Sequence, residues 1–95
     1  MHRRSNEPRP IELSEADLGR ALQRLRKSRG ISQESLADES GYHRTYISQL
    51  ERGLKSPSLR TLSSLARVFG LKVSRLVAEI EKEAARRTKA VGRGK

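Results

Sequence analysis

The run "HRTYISQLERG", residues 43–53, sets Arg44, Thr45, Ser48 and Gln49 around two apolar anchors, Ile47 and Leu50. All four carry hydrogen-bonding groups at their tips. A guanidinium can bond guanine O6 and N7 in a bidentate way, and a carboxamide can do the same to adenine N6 and N7. Threonine adds a hydroxyl and a methyl, the latter suited to a thymine methyl. Such residues recognise the edges of bases, provided that a helix holds them on one face. Other chemistries have less to work with. The chain has no cysteine, which excludes a thiolate zinc site, and His2 and His43 are far apart and lack ligand spacing. No nucleophile stands beside a base and no glycine-rich phosphate loop is present, so neither an enzyme nor a cofactor is expected.

Charge agrees with a polyanionic partner. Lysine and arginine outnumber aspartate and glutamate by 21 to 11, a net charge of +10 on 95 residues. Nucleic acid is the first candidate for such a balance and an anionic membrane surface the second. No apolar run reaches the ~18 residues needed to span a bilayer. The start, "MHRRSNEPRP", lacks the apolar stretch of a secretory signal, so the expected location is cytoplasmic, with the nucleoid. Residues 14–80 hold twelve basic and seven acidic residues, and 81–95 hold six and two.

The elements that position the run are helices. Strand signals are nearly absent, and helix punctuation is frequent. Ser14 and Asp17 have capping-box spacing before "LGRALQRLRKSRG", in which Leu18, Ala21, Leu22 and Leu25 recur at helical spacing. Ser32 is placed to cap a second helix from Gln33 to about Ser40, Gly41 to turn the chain, and a third helix to run from about Arg44 to Arg52. Ser58 can cap a fourth helix with a buried stripe of Leu59, Leu62, Leu65, Ala66 and Phe69. Ser74 can cap a fifth through Leu76, Val77 and Ile80, continuing into "EKEAARR" beyond its core contacts. The expectation is an all-α fold of five helices. It divides into a flexible basic arm over 1–12, a compact domain over 13–80, and a helix-five extension with a basic, partly disordered tail over 81–95.

Helix, glycine corner, helix is the outline of a helix-turn-helix. Counting from Gln33 as one, Leu36, Ala37, Gly41, Tyr42, Ile47 and Leu50 fall at positions four, five, nine, ten, fifteen and eighteen. There, two steeply crossed helices need small or apolar residues.

With those residues, the sequence resembles the lambda and 434 repressor and Cro-like helix-turn-helix regulators, the XRE family. The wording "HRTYIS" resembles restriction–modification controller proteins. The likeness covers about residues 30–77, through Ser32-Gln33, Leu36-Ala37, "YIS-x-LERG", Pro57-Ser58 and "LA-x-x-FG-L-x-V". It implies a lambda-repressor-like domain whose helix three enters the DNA major groove. It also implies that Arg44, Thr45, Ser48 and Gln49 meet bases, and that Gln33 bonds a phosphate and braces a neighbour on helix three. Arg26 and Glu51 match a partly buried ion pair joining helices one and three. Arg52, Lys55 and Ser56, following the reading helix, are expected on phosphates, as is Tyr46, expected to point out of the seam. His43 departs from the family, which usually has a serine or threonine cap there; a phosphate contact is its alternative use.

The expected function is that of a sequence-specific regulator of transcription, a repressor or autoregulator. It would bind a double-stranded operator as a homodimer, with an inverted repeat to match. The dimer surface is expected on helix five and the residues after it. The competing expectation is an antitoxin-type module that binds a protein partner as well as its own operator. A basic chaperone-like or RNA-binding role comes third, because it would not need the bidentate side chains of helix three and the narrow major groove of RNA does not admit a helix.

Overall fold

The computed structural model describes residues 12–93, with side chains described through Lys89. Of the expected arm over 1–12 only Glu12 is described, and the last residues of the tail lie outside the described part. Five α-helices follow one another: α1 (Glu15–Ser28), α2 (Gln33–Ser40), α3 (Arg44–Glu51), α4 (Leu59–Val68) and α5 (Val73–Arg93). None is long and apolar enough to cross a membrane.

Short polar side chains start three of them. Ser14 Oγ accepts from the Asp17 amide at 3.2 Å while Asp17 Oδ2 accepts from the Ser14 amide at 3.0 Å, which closes the capping box. Ser32 Oγ accepts from the Ser35 amide at 3.0 Å, and Ser58 Oγ from the Thr61 amide at 3.1 Å. Each bond satisfies an amide that has no partner inside its own helix. Gly41 ends α2 at φ 82°, a left-handed conformation that side chains resist. Its amide and that of Tyr42 both return to the Ala37 carbonyl at 2.9 Å, and the chain turns into α3.

Two expectations about helix ends are corrected. Ser74 does not cap α5, because the helix has already begun at Val73. The Lys72 carbonyl accepts from the Arg75 and Leu76 amides at 2.9 and 3.0 Å. Val73 packs against the core, and that anchor sets the start where a serine cap, worth only about 1 kcal/mol, would not. Leu59 shares the helical stripe of Leu65 and Phe69 but stands in the first turn of α4, uncovered and 74% exposed.

Leu18, Leu22, Leu36, Ile47, Leu50, Leu65, Phe69 and Leu76 form the centre of an aliphatic core. α1 packs on both α3 and α5, α2 on α3 and α4, and α4 on α5. The contacts of α5 do not end at Ile80. Ala84 and Glu83 are buried, and Arg87 reaches Asp17 on α1, so the boundary expected after residue 80 falls inside this packing. Residues 76, 80, 83, 84 and 87 make one helical stripe, its last part built from alanine and charge instead of leucine. Leu76, Ile80 and Ala84 are thereby taken up by the chain's own core. Val77, between them in sequence, stays half-buried outside that core.

Candidate nucleic-acid interface

On α3 the inner face is Ile47 and Leu50, both fully buried. Arg44, Thr45, Ser48, Gln49 and Arg52 fall within roughly 140° of the opposite side at 100° per residue. Arg44, Thr45 and Arg52 are exposed, and Ser48 and Gln49 half-buried. The structure therefore brings the four expected base-contacting residues onto one stripe. Tyr46 lies roughly 200° from Arg44 and off that stripe. Its ring is half-buried, packed against the core 5.2 Å from that of Tyr42, so Tyr46 stands at the edge of the seam and not fully out of it. Packing two aromatic rings at a tilt, here 49°, is favourable, and the corner residue Tyr42 supplies the partner.

His43 is the N-cap of α3, exposed, with no side-chain capping bond. The first amides of α3 are left for another acceptor, which is the arrangement an anion uses at a helix start.

Behind the stripe, Arg26 grips Glu51 from α1 with two bonds, Nε to Oε2 at 2.7 Å and Nη2 to Oε1 at 3.0 Å. Its third nitrogen, Nη1, donates to the Ile31 carbonyl at 3.0 Å. The two side chains are 11% and 2% exposed, so this is a desolvated pair. The Glu51 carboxylate holds the Arg26 guanidinium above its ordinary value, outweighing the opposite effect of burial. Gln33 Nε2 also donates to Glu51 Oε1, at 3.0 Å, so its brace on α3 is Glu51. One amide hydrogen and the carbonyl oxygen of Gln33 remain for an outside partner. Arg26, Ser32, Gln33, Glu34 and Arg44 line an open recess of about 530 Å³ at the start of α2. Arg52, Lys55 and Ser56 are exposed just past α3, where cations can grip a backbone without reading sequence.

The sequence did not signal three supporting features. Gly19 on α1 lies against the end of α3, and a Cβ there would stand 2.4 Å from the Glu51 carbonyl oxygen. Tyr42 Oη, Thr61 Oγ1 and Ser58 Oγ form a hydrogen-bonded chain at 3.1 and 3.0 Å from the corner to the cap of α4. Asp17 was legible as a capping residue but not as the partner of Arg87, seventy positions away. A glycine inside an otherwise good helix was the only available hint of close packing.

An amphipathic helix presents a polar stripe, its far side is locked by apolar packing and a buried ion pair, and cations and its own uncapped start flank it. Together these define a helix-turn-helix unit with α3 as its second helix. Comparison with known proteins gives the same class: the helix-turn-helix family model matches residues 22–76. The chain belongs to that family. It is 36% identical over 62 residues to the immunity repressor protein of Bacillus phage phi105, covering 65% of this chain and 43% of that one. It is 39% identical over 66 residues to control protein C.MunI from Mycoplasma sp, covering 68% and 89%. Among solved structures, the clp gene regulator ClgR from Corynebacterium glutamicum superposes with a TM-score of 0.81 at 29% identity, covering 90% of both chains.

Proposed function

We propose that the chain is a sequence-specific regulator of transcription that binds double-stranded DNA as a homodimer and acts as a repressor or autoregulator at the nucleoid. The observation that carries this reading is the stripe of Arg44, Thr45, Ser48 and Gln49 on α3, backed by the desolvated Arg26–Glu51 pair. In this reading α3 lies in the major groove, with Arg44 on a guanine, Gln49 on an adenine, and Thr45 and Ser48 on neighbouring edges. Phosphates sit at Gln33, at His43 and the uncapped start of α3, and at Arg52, Lys55 and Ser56. The relatives named as an immunity repressor and a control protein support a regulatory role. A single α3 covers half of such a site, and two copies about 34 Å apart would cover an inverted repeat.

Selection of the purified chain against random duplexes at about 150 mM salt tests the proposal, since that strength weakens purely electrostatic binding. An enriched inverted repeat with fixed spacing is the expected result. Binding without enrichment would overturn sequence-specific recognition and leave charge alone.

A further inference from the structure

Two carboxylates between α1 and α5 are buried, Asp17 fully and Glu83 to within 3%. Each is held by two arginines that share one of its oxygens. Arg20 Nη2 and Arg87 Nε both reach Asp17 Oδ1 at 3.0 Å, and Arg87 Nη2 takes Oδ2 at 3.0 Å. Arg24 Nε reaches Glu83 Oε2 at 2.6 Å, and Arg86 Nη1 bonds the same oxygen. The arrangement is reciprocal: the acid of α1 takes an arginine from α5, and the acid of α5 takes one from α1. An i,i+3 arginine on the acid's own helix completes each cluster.

These clusters do not belong to the base-reading face. Asp17 and Arg24 lie on one side of α1, while Gly19 and Arg26, which meet the end of α3, lie roughly 200° round the helix. A duplex docked on α3 therefore has α1 between it and the clusters.

Each cluster sets two positive charges over one negative charge, so the pair carries a surplus of two. The carboxylates are satisfied from below, whereas the four arginine side chains remain between 41% and 59% exposed. Buried anchors thus hold half-exposed guanidinium forks in place, with unused N–H donors. Such forks match phosphate in geometry, and fixing them beforehand lowers the ordering cost of binding. From Asp17 to Arg24 is about 10 Å along α1, over which one DNA strand presents about three phosphates. The exposed acids Glu15 and Glu81 each stand two residues from a buried acid, roughly 200° away round the helix. Two acids border the patch among the described residues: Glu12, whose carbonyl accepts from Arg87 Nη2 at 3.1 Å, and Glu79, one turn before Glu83, whose carboxylate is already paired with Arg75 and Lys82. Beyond Glu83 the sequence adds Arg86, Arg87, Lys89, Arg93 and Lys95 and no acid.

We propose that this α1–α5 arginine face binds the phosphate backbone of a second DNA segment, separate from the duplex read by α3, so that one molecule holds two duplex segments together. The inference rests on the proposed function only for the identity of the polyanion. A chain already on DNA meets further duplex at high local concentration, and regularly spaced phosphates suit a row of fixed forks better than the scattered carboxylates of an acidic protein.

The test uses the full chain and two random-sequence duplexes, one immobilised and one fluorescent, at about 50 mM salt. The readout is fluorescent duplex retained per protein bound to the immobilised one, which separates second-segment binding from failure of the reading face. Arg20→Gln/Arg86→Gln removes two heads and leaves each carboxylate its interhelical partner, Arg87 or Arg24, so both cross-links persist. Wild type is expected to retain the fluorescent duplex. The double variant should lose it, with a salt slope flatter by roughly two, and Arg20→Lys/Arg86→Lys should keep most of it. Three results would overturn the proposal: no retention by wild type, equal retention by the glutamine variant, or displacement by polyglutamate as effective as displacement by duplex at equal charge.

Discussion

Gly19→Ala isolates the closeness of α1 to the reading helix, because helix propensity and packing predict opposite signs. Gly19 lies inside α1, where replacing glycine by alanine normally stabilises by about 1 kcal/mol. Here the added Cβ would stand 2.4 Å from the Glu51 carbonyl oxygen, 2.7 Å from that of Leu50 and 2.8 Å from the Glu51 carbonyl carbon. All three are backbone atoms, so no flexible side chain can turn aside. Ordinary contact needs about 3.5 Å, so the end of α3 must withdraw from α1 by about 1 Å. That withdrawal loosens the layer of Leu18, Leu22, Ile47 and Leu50 and stretches Arg26–Glu51 bonds now at 2.7 and 3.0 Å. Overpacking against a rigid neighbour costs up to about 3 kcal/mol or more, and subtracting the propensity gain leaves a net loss of about 2 kcal/mol. For a domain of this size the melting temperature should fall by about 10 °C. Thermal unfolding followed by circular dichroism, on wild type and variant side by side, reads the difference. A variant that melts at or above wild type would refute the argument that α1 and α3 meet backbone to backbone.

Arg26→Ala strands Glu51 in a desolvated site and should cost about 3–5 kcal/mol, read by urea unfolding, whereas Arg26→Met/Glu51→Leu should recover much of that loss. Arg44→Ala should weaken the selected duplex by about 1–3 kcal/mol and relax preference at one base pair, seen by repeating the selection. Lys55→Ala should weaken all duplexes about equally and flatten the salt slope by roughly one; a changed preferred sequence would contradict a phosphate role. Hydrogen bonding from Arg87, aided by the Ser14 amide and opposed by burial, lowers the Asp17 pKa from 3.8 to about 2. A lowered carboxylate stabilises the fold above its unfolded value and loses that contribution as the pH falls through the folded one. Between pH 3.8 and about 2, wild type should therefore lose melting temperature more steeply than Asp17→Asn.

Local signals carried most of the fold. Ser14, Ser32 and Ser58 cap helices because a short side-chain oxygen beside an unpaired amide is a matter of a few residues, visible in sequence. Ile47 and Leu50 were legible as an inner seam, and so their complement on α3 was legible as a stripe. Ser74 failed because the core contact of Val73 starts α5 earlier, and Leu59 for want of a neighbour. Periodicity gives the angle of a residue round its helix, but not whether a neighbour covers that end of it. The partial cover of Tyr46 was not legible because its partner, Tyr42, approaches across the corner, and only the crossing of α2 and α3 brings the rings to 5.2 Å.

The acids between α1 and α5 show a deeper limit. A stripe of leucines announces burial because the hydrophobic effect is non-directional and each residue contributes by itself. Asp17 and Glu83 are buried only because arginines on the other helix are present at the same time, and removing either partner leaves a charge that would not stay inside. Such burial is a property of the pair, and no window along the chain contains both members. The same holds at the reading helix, where the environment of Glu51 is composed by Arg26, Gln33 and the missing side chain of Gly19. α1 thus sets the position of α3 on one side. On the other it anchors α5 through ionic contacts.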